Sequence, residues 1–385
     1  MSHEDAPTIF LTAAEASGDA HAGSLIAALA RRLDGARFVG IGGPRMAEAG
    51  CELLADVVAQ ASMGLDALKR LAYFRGLIRL VTREMERRRP AVLVPVDSPG
   101  LNWHTAAAAR RLGIPVMYYV APQVWAWAPW RIRKLRRLAD HVACLLPFEQ
   151  EYFRRRGVQA TFVGHPMFDQ LPPRSAPPPP PADAASWRIV LLPGSREKEI
   201  RRHAPAMVRA AKMIRRRYPQ AAFTFSVADE RSAALVSEAT GLPPGRANAS
   251  IAVVAGQTHK ILADSHFALA TSGTITLETA YFGVPMVTFY RISRLHKALF
   301  GWLMRTRYYS LVNILAEREL VPELIPWYGR AESLAQAALS QLDDPARLAR
   351  TSVALKALIE PLREPLGKTA SAAAAELVIE TMRMR

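Results

Sequence analysis

The amino-acid sequence predicts an α/β protein with two Rossmann-like domains that face each other across a cleft. Short apolar segments alternate with helical segments, which is typical of a parallel sheet covered by helices on both faces. The alternation restarts after a proline-rich interruption near residue 177, so each half is expected to hold its own sheet. A chain of 385 residues also exceeds what one compact core usually contains.

Changes in residue composition along the chain predict the domain boundaries. Residues 1–170 form the first domain and residues 187–345 the second, and each begins with an apolar strand, a glycine-containing turn and a helix. Residues 171–186 contain five consecutive prolines, which predicts a stiff, extended linker. Residues 346–385 are helical and rich in alanine, and the sequence leaves open whether they pack back on the first domain.

The net charge of +16 favours anionic partners, which include phosphorylated substrates, nucleic acid and an anionic membrane surface. The two cysteines, Cys51 and Cys144, lie in apolar surroundings and predict buried thiols in a reducing compartment. The N-terminal residues show no apolar leader, and no apolar run approaches the roughly 20 residues of a membrane span. We therefore expect a cytoplasmic protein whose contact with a bilayer is peripheral.

Two turns in the second half have the composition of anion-binding sites. Ser272, Gly273 and Thr274 lie between a strand and a helix, where free N–H groups and the helix dipole attract phosphate. Glu278, one turn further on, is placed to reach a ribose hydroxyl. Gly194, Ser195 and Arg196 form a similar turn before a long basic helix, and an arginine can bind phosphate oxygens in a bidentate manner. Ordinary helix capping is the alternative for both turns.

Asp97 follows an almost wholly apolar strand, so we expect it at the carboxyl edge of the first sheet, where ligands bind in open α/β sheets. A partly desolvated aspartate there can act as a general base. A carboxylate that caps the loop is the alternative.

Two segments combine apolar, aromatic and basic residues, one from Ser62 to Arg83 and one from Leu295 to Arg307. This composition suits a surface that lies in the membrane interface. A helix packed on the core with a basic outer face explains the first segment equally well.

The sequence predicts no metal site and no cofactor. It contains no zinc-binding or paired-cysteine motif and no Asp-x-Asp, and its glycine spacing matches neither a dinucleotide fingerprint nor a Walker motif.

Nine short motifs, spread in order over nearly the whole chain, resemble the lipid-A-disaccharide synthase family, whose members are inverting glycosyltransferases of the GT-B type. The motifs are Ala14-Glu15-Ala16-Ser17-Gly18-Asp19, Gly40-Ile41-Gly42-Gly43-Pro44-Arg45-Met46, Ser62-Met63-Gly64-Leu65, Val96-Asp97-Ser98-Pro99, Val124-Trp125-Ala126-Trp127, Val163-Gly164-His165-Pro166, Leu191-Leu192-Pro193-Gly194-Ser195-Arg196, Ser272-Gly273-Thr274 with Leu277-Glu278, and Asn313-Ile314-Leu315-Ala316-Glu317-Arg318-Glu319-Leu320.

The resemblance implies that a diacylated glucosamine moves from UDP to the 6-hydroxyl of 2,3-diacylglucosamine 1-phosphate. The products would be a β-1,6 disaccharide 1-phosphate and UDP. Asp97 is the expected base, and Glu15 is the competing base or a residue that orients the acceptor. The acylated substrates agree with peripheral association at the inner face of the inner membrane, and a homodimer is left open.

The residues expected to bind substrate fall in the matched motifs and in one turn after a strand. They are Ser17, Gly18, Gly194, Ser195, Arg196, Gln257, Ser272, Gly273, Thr274, Glu278 and Asn313.

The sequence departs from the family pattern at two places. Gly100 stands where family members often carry an acidic residue after the Asp97 strand, and Ala128, Pro129 and Trp130 alter the tract before Arg131. The preference for the acceptor is therefore less well defined than the class of donor.

Two alternatives stay open from sequence. Another GT-B transferase or a nucleotide-sugar epimerase would keep the UDP-binding turns but would not need two membrane-facing segments. A non-enzymatic nucleic-acid-binding protein would explain the charge, although the basic residues are spread over many helices instead of forming one motif.

Overall fold

The computed structural model describes residues 6–61, 67–174, 178, 186–243, 250–292 and 306–384. The chain divides into two compact units, one of residues 1–170 and 361–385 and one of residues 171–360. Each unit is built around one parallel sheet, with the strand orders β3-β2-β1-β4-β5-β6-β7 and β10-β9-β8-β11-β12-β13. The two predicted Rossmann-like α/β domains are thereby confirmed.

Helices and strands of the first unit are numbered in chain order. Its strands are β1 (Thr8–Ala13), β2 (Arg37–Gly42), β3 (Cys51–Asp56), β4 (Val92–Val96), β5 (Met117–Tyr119), β6 (His141–Cys144) and β7 (Ala160–Phe162). Its helices are α1 (Ala16–Ala30), α2 (Pro44–Glu48), α3 (Val57–Ala61), α4 (Ala67–Arg88), α5 (Pro99–Arg111), α6 (Ile132–Leu138), α7 (Pro147–Arg154) and, from the end of the chain, α15 (Ala370–Met382).

The second unit follows the same alternation. Its strands are β8 (Arg188–Leu192), β9 (Ala222–Val227), β10 (Ile251–Ala255), β11 (Phe267–Thr271), β12 (Met286–Arg291) and β13 (Glu323–Trp327). Its helices are α8 (Glu197–Arg217), α9 (Glu230–Thr240), α10 (Thr258–Asp264), α11 (Ile275–Tyr281), α12 (Leu311–Ala316) and α13 (Ala331–Leu342), and α14 (Pro345–Arg363) runs across the boundary between the units.

The central strands are buried along their whole length. Every residue of β1, β4 and β11 is buried, because helices cover both faces of a parallel sheet. The sequence analysis predicted these central strands. It did not predict β3 or β13, which lie at the edges of their sheets.

The C-terminal helices are divided between the two units. Most of α14 belongs to the second unit, where Leu348 joins the core, so the boundary falls at residues 360–361 instead of at residue 345. α15 packs against α1, and Ala374 and Val378 join the core of the first unit. The carboxylate of Asp169 accepts hydrogen bonds from the first N–H groups of α15 at 2.8 and 3.0 Å.

The described part of the basic and apolar segment at residues 62–83 is a core-packed helix with a basic outer face. Leu77 and Val81 are buried in the core of the first unit, whereas Arg75, Arg79 and Arg83 are exposed. Residues 62–66 and most of the second segment, residues 293–305, lie outside the described residues.

In the described ranges, no helix has both the length and the apolar character needed to cross a membrane. Cys51 and Cys144 are both buried free thiols, and burial raises the pKa of Cys51 to about 12.

Two histidines form a buried pair in the first unit. The ring of His21, on α1, meets the ring of His165 edge to face at 5.8 Å between centroids. Burial lowers the pKa of His21 to about 4, and burial with the nearby His21 lowers the pKa of His165 to about 3. Both rings are therefore neutral in the folded protein near pH 7.

We expect this pair to make folding sensitive to acid. Because the unfolded chain binds protons near the ordinary histidine pKa of about 6.5 and the folded chain does not, stability is full above that pH and is lost as pH falls toward 4. For each such histidine, the free energy of unfolding falls by about 1.4 kcal/mol as the pH is lowered from about 7.5 to about 5.5. Equilibrium unfolding of His165→Gln should show a correspondingly smaller loss than wild type. The exposed control His104→Gln should behave as wild type, and equal losses in all three proteins would contradict the assignment.

Candidate active site

Most of the predicted site residues lie beside the point where the strand order of each sheet reverses, whereas Gln257 and Asn313 lie elsewhere in the second unit. In the first sheet this switch point lies between β1 and β4, and in the second between β8 and β11. Helices leave the two strands toward opposite faces there, and the crevice that results is where open α/β sheets bind ligands. Glu15 follows β1 and Asp97 follows β4, while Gly194 follows β8 and Ser272 follows β11.

Asp97 lies in a strained turn at the end of β4. Asp97 and Ser98 have φ values of 50° and 42°, a left-handed conformation that costs a non-glycine residue about 1–3 kcal/mol. The backbone of Asp97 is held on three sides: its N–H donates to the Tyr119 carbonyl, and its own carbonyl accepts from Asn102 and from the Tyr118 hydroxyl. The backbone that carries the Asp97 carboxylate is thus fixed, and the residue is half-buried.

Asn102, for which the sequence predicted no role, joins the two strands of this switch point. It is fully buried on α5, its Oδ1 accepts from the Thr12 hydroxyl at 2.7 Å, and its Nδ2 donates to the carbonyls of Val96 and Asp97 at 3.0 and 2.7 Å. Its amide therefore ties β1 to the end of β4.

The start of α1 lies directly against Asp97. A Cβ added at Gly18 would lie 3.4 Å from the Val96 carbonyl oxygen and 3.7 Å from the Asp97 Cβ, which is ordinary van der Waals contact. Ser17 and Glu15 are exposed at the same end of the helix. At Gly100, a Cβ would meet no atom within 4 Å.

Asp19 is a second residue whose role the sequence analysis missed. Its buried carboxylate accepts hydrogen bonds from the N–H groups of Gly43, Arg45 and Met46 at 2.9, 3.0 and 3.1 Å. These groups open α2, so Asp19 holds the glycine-rich turn after β2 against the start of α1. A Cβ at Gly43 would lie 2.7 Å from the Asp19 Oδ2, which explains the glycine.

The turn at the end of β8 contains an internal acceptor that the sequence analysis did not consider. Glu199 Oε2 lies 3.3 Å from the N–H groups of both Ser195 and Arg196, and its Oε1 contacts the Arg196 guanidinium at 3.3 Å. Gly194, at φ +107°, would clash with Glu199 if it carried a Cβ. The turn is therefore a capping box, with the Arg196 side chain largely exposed.

The turn at the end of β11 is more open. Gly273 and Thr274 are exposed, a Cβ at Gly273 would meet no atom within 4 Å, and no hydrogen bond among the described residues uses their N–H groups. The hydroxyl of Ser272 donates to the Tyr309 carbonyl at 3.2 Å, so it is already engaged.

Glu278 and Gln257 lie beside this turn. Glu278 Oε2 is 3.3 Å from His259 Nε2, and the His259 ring stacks on Phe282. Gln257 is exposed at the start of α10. Glu278 lies on α11, which follows this turn, and Gln257 follows β10, the edge strand of the sheet.

Asn313 is fully buried and its amide is used by the protein. Its Oδ1 accepts from the N–H groups of Leu320 and Val321, and its Nδ2 donates to the Val321 carbonyl and to Glu323. Glu323 also accepts from the N–H groups of Tyr309 and Ser310 at 2.8 and 2.9 Å. Through Tyr309, this network holds the carbonyl to which Ser272 donates.

A tryptophan tract follows β5 in the first unit. The Trp125 indole N–H donates to the buried Glu149 at 2.8 Å, whereas Trp127 and Trp130 are 39% and 57% exposed. The Arg131 guanidinium lies 4.3 Å from the centre of the Trp127 ring. The tract thus joins one buried anchor to an exposed aromatic and basic surface.

Within the described residues, no three histidine, cysteine, aspartate or glutamate side chains are grouped so as to hold a metal ion.

Comparison with known proteins identifies the family. The family model described as lipid-A-disaccharide synthetase matches residues 9–378. The chain belongs to this family. The resemblance drawn from the nine motifs is thereby confirmed, and the protein is a glycosyltransferase of lipid A biosynthesis.

Curated members of the family align over nearly the whole chain. The lipid-A-disaccharide synthase of Anaeromyxobacter sp. (strain K) is 37% identical over 361 residues, which are 93% of this chain and 94% of that protein. The enzyme of Myxococcus xanthus (strain DK1622) is 35% identical and covers 98% of both chains.

Solved structures confirm the GT-B fold. A putative UDP-N-acetylglucosamine 2-epimerase from Listeria monocytogenes has a TM-score of 0.66 at 12% identity, covering 100% of this chain and 96% of its own. Acinetobacter baumannii MurG has a TM-score of 0.57 at 14% identity, covering 97% and 99%. At these identities the likeness concerns the fold alone.

We expect Asp19→Asn to destabilise the protein, since it removes the charge from an acceptor of three buried N–H groups. Unsatisfied buried donors predict a loss of about 1–3 kcal/mol in the free energy of unfolding. Denaturant unfolding measures this loss. Asp34→Asn, at an exposed site before β2, is the matched control. Equal stabilities for the two variants would show that the hydrogen bonds to Asp19 do not stabilise the fold.

Proposed function

We propose that the protein transfers a 2,3-diacylglucosaminyl group from its UDP carrier to the 6-hydroxyl of 2,3-diacylglucosamine 1-phosphate. The products are the β-1,6-linked disaccharide 1-phosphate and UDP. The observation that carries this proposal is the family match over residues 9–378. The position of the candidate residues at the two switch points supports it.

Inversion at the anomeric carbon follows from a single displacement. The acceptor O6 loses its proton to the base as it forms a bond to C1 of the donor sugar. The bond between C1 and the diphosphate oxygen breaks, and its electron pair leaves with UDP. Donors at the diphosphate lower the barrier because they stabilise the charge that develops there.

Asp97 is the proposed base. Its backbone is fixed by three hydrogen bonds in a strained turn, and such strain is common at functional sites. Gly18 leaves space beside it, and Ser17 and Gly18 would bind the acceptor at the start of α1. Glu15, exposed at the same end of α1, is the competing base or an orienting residue.

UDP is proposed to bind along the edge of the second sheet. The open N–H groups of Gly273 and Thr274 are suited to the diphosphate, with Ser272 fixed through Tyr309. The exposed guanidinium of Arg196 would add a charged contact beside Gly194 and Ser195.

Three further residues complete the proposed nucleotide site. Glu278 is proposed to bind a ribose hydroxyl, and Gln257 lies within the same edge of the sheet. Because the amide of Asn313 is already satisfied, we propose that Asn313 positions the Ser272 turn instead of binding substrate itself.

We further propose a peripheral association with the cytoplasmic face of the inner membrane. Arg75, Arg79 and Arg83 lie on the exposed side of α4 and would face anionic lipid head groups. The segments Ser62–Arg83 and Leu295–Arg307 are the proposed regions of membrane contact, because of their apolar and basic composition.

The reaction is tested by mass spectrometry of the lipids formed from the UDP-linked donor and the acceptor 1-phosphate. We expect the disaccharide 1-phosphate to appear. Binding of UDP without formation of a disaccharide would point to another GT-B activity.

We expect Asp97→Asn to lower turnover by about 10²–10⁴-fold, because loss of a general base has effects of this size. Asparagine also tolerates a left-handed backbone, so the turn should persist. UDP affinity should stay unchanged. Glu15→Gln assayed in parallel separates the two candidates, since near-normal turnover of Asp97→Asn with a large loss in Glu15→Gln would reverse the assignment.

Arg196→Ala should weaken UDP binding about 10- to 100-fold, as expected for the loss of a charge-assisted contact worth about 1.5–3 kcal/mol. Calorimetric titration with UDP measures this change. Arg216→Ala, an exposed arginine near the other end of α8, is the control. Equal affinities in the two variants would exclude Arg196 from the UDP site.

A further inference from the structure

A strongly basic pocket of about 720 Å³ lies in the second unit, beyond the UDP-binding turns. Five cationic side chains and one exposed aromatic ring line it: Lys198, Arg201, Arg202, Arg291, Arg330 and Tyr328. The pocket is formed by the first turns of α8, the end of β12 and the turn after β13. Since neighbouring strands are about 4.8 Å apart, β13 lies about 10 Å from β11 in the sheet.

Most of this charge is not balanced by carboxylates. Arg201 is the exception, because it pairs with Glu197 and Glu238, each at 2.9 Å. Across the described ranges, no ion pair involves Lys198, Arg202, Arg291 or Arg330, and the Arg202 guanidinium donates only to the Arg291 carbonyl. Four cations therefore converge without a carboxylate among them.

The cations at the start of α8 destabilise that helix. Lys198 lies in the first turn of α8, where the positive end of the helix dipole disfavours a cation, and Arg202 lies one turn further on. They are also spaced i, i+4, which places two like charges together. A bound anion would remove both penalties.

One wall of the pocket is fixed by packing. Gly329 has φ +89°, and a Cβ there would lie 2.9 Å from the Arg291 Nε, so the guanidinium rests against this turn. The Arg291 N–H donates to His203 Nε2 at 3.3 Å, and the other ring nitrogen is 3.0 Å from the Pro193 carbonyl. Burial lowers the pKa of His203, which keeps the ring neutral as this bridge requires.

We propose that this pocket binds the phosphate group of a phosphorylated saccharide. Arginines and a lysine are the usual ligands of a phosphate dianion. Tyr328, 42% exposed, adds an aromatic side chain to the lining, and the volume lies in the range of small-ligand sites, about 300–1,000 Å³. The pocket adjoins the Gly194-Ser195-Arg196 turn through the start of α8, but its lining includes no residue of the two proposed UDP-binding turns. The link to catalysis rests on the proposed function, in which acceptor and product both carry a 1-phosphate.

The test is calorimetric titration of the full chain with glucosamine 1-phosphate, first alone and then in saturating UDP. We expect binding in both conditions. Arg202→Gln and, on a different element, Arg330→Gln should each weaken it about tenfold or more, with UDP affinity unchanged. Arg209→Gln is the matched control, since Arg209 is exposed two turns along α8 and outside the pocket.

Other outcomes would overturn the proposal. Competition between UDP and glucosamine 1-phosphate would place the sugar phosphate in the nucleotide site. Inorganic phosphate that binds as tightly as glucosamine 1-phosphate would exclude recognition of the saccharide. Variants that lose only sedimentation with phosphatidylglycerol vesicles would make the pocket a lipid-headgroup contact.

Failure of the two proposals can be told apart. If UDP binds but glucosamine 1-phosphate does not, the proposal for the basic pocket is wrong and the proposal for the nucleotide site is retained. If glucosamine 1-phosphate binds in the pocket but UDP does not bind, the proposed function is wrong and the pocket stands.

Discussion

The reversal of strand order beside the first strand of each sheet is the constraint on which the candidate site depends. Because the connections on either side of β1 and β4 place their helices on opposite faces, the carboxyl ends of these strands are left uncovered. The same holds for β8 and β11. Polar side chains in the loops after these four strands can be exposed without disturbing the buried strands beneath them. Under the proposed function, the loops after these four strands carry the catalytic residues, and the sheets fix the ends of those loops.

Polar side chains hold loops in both units by accepting hydrogen bonds from the backbone. Asp19 does so at the turn after β2, Glu199 at the turn after β8 and Glu323 before α12. Asn102 instead donates a hydrogen bond from its side-chain amide to a backbone carbonyl, that of Asp97. The hydrogen bonds that the Asp97 carbonyl accepts from Asn102 and Tyr118 offset the backbone strain in this turn.

Sequence patterns predicted the central strands and both switch-point loops, because a strand buried on two faces is a continuous apolar run. Edge strands have no such signal: β3 is half exposed and begins beside a charged residue, and β13 contains Pro326. The roles of Asp19 and Asn102 could not be predicted either, since their partners come from segments 24 to 90 residues away. The amide of Asn313 was assigned to substrate because composition does not show which polar groups are already satisfied.

The return of α15 to the first unit has a consequence for the order of folding. Ala374 and Val378 complete a core that otherwise consists of β1, α1 and their neighbours, all within the first 170 residues. During synthesis from the N-terminus, the second unit emerges with its own strands complete while one face of the first sheet still lacks its covering helix. The unit that is made first is therefore the last to be finished, and its exposed apolar face needs protection for the time taken to translate about 200 further residues.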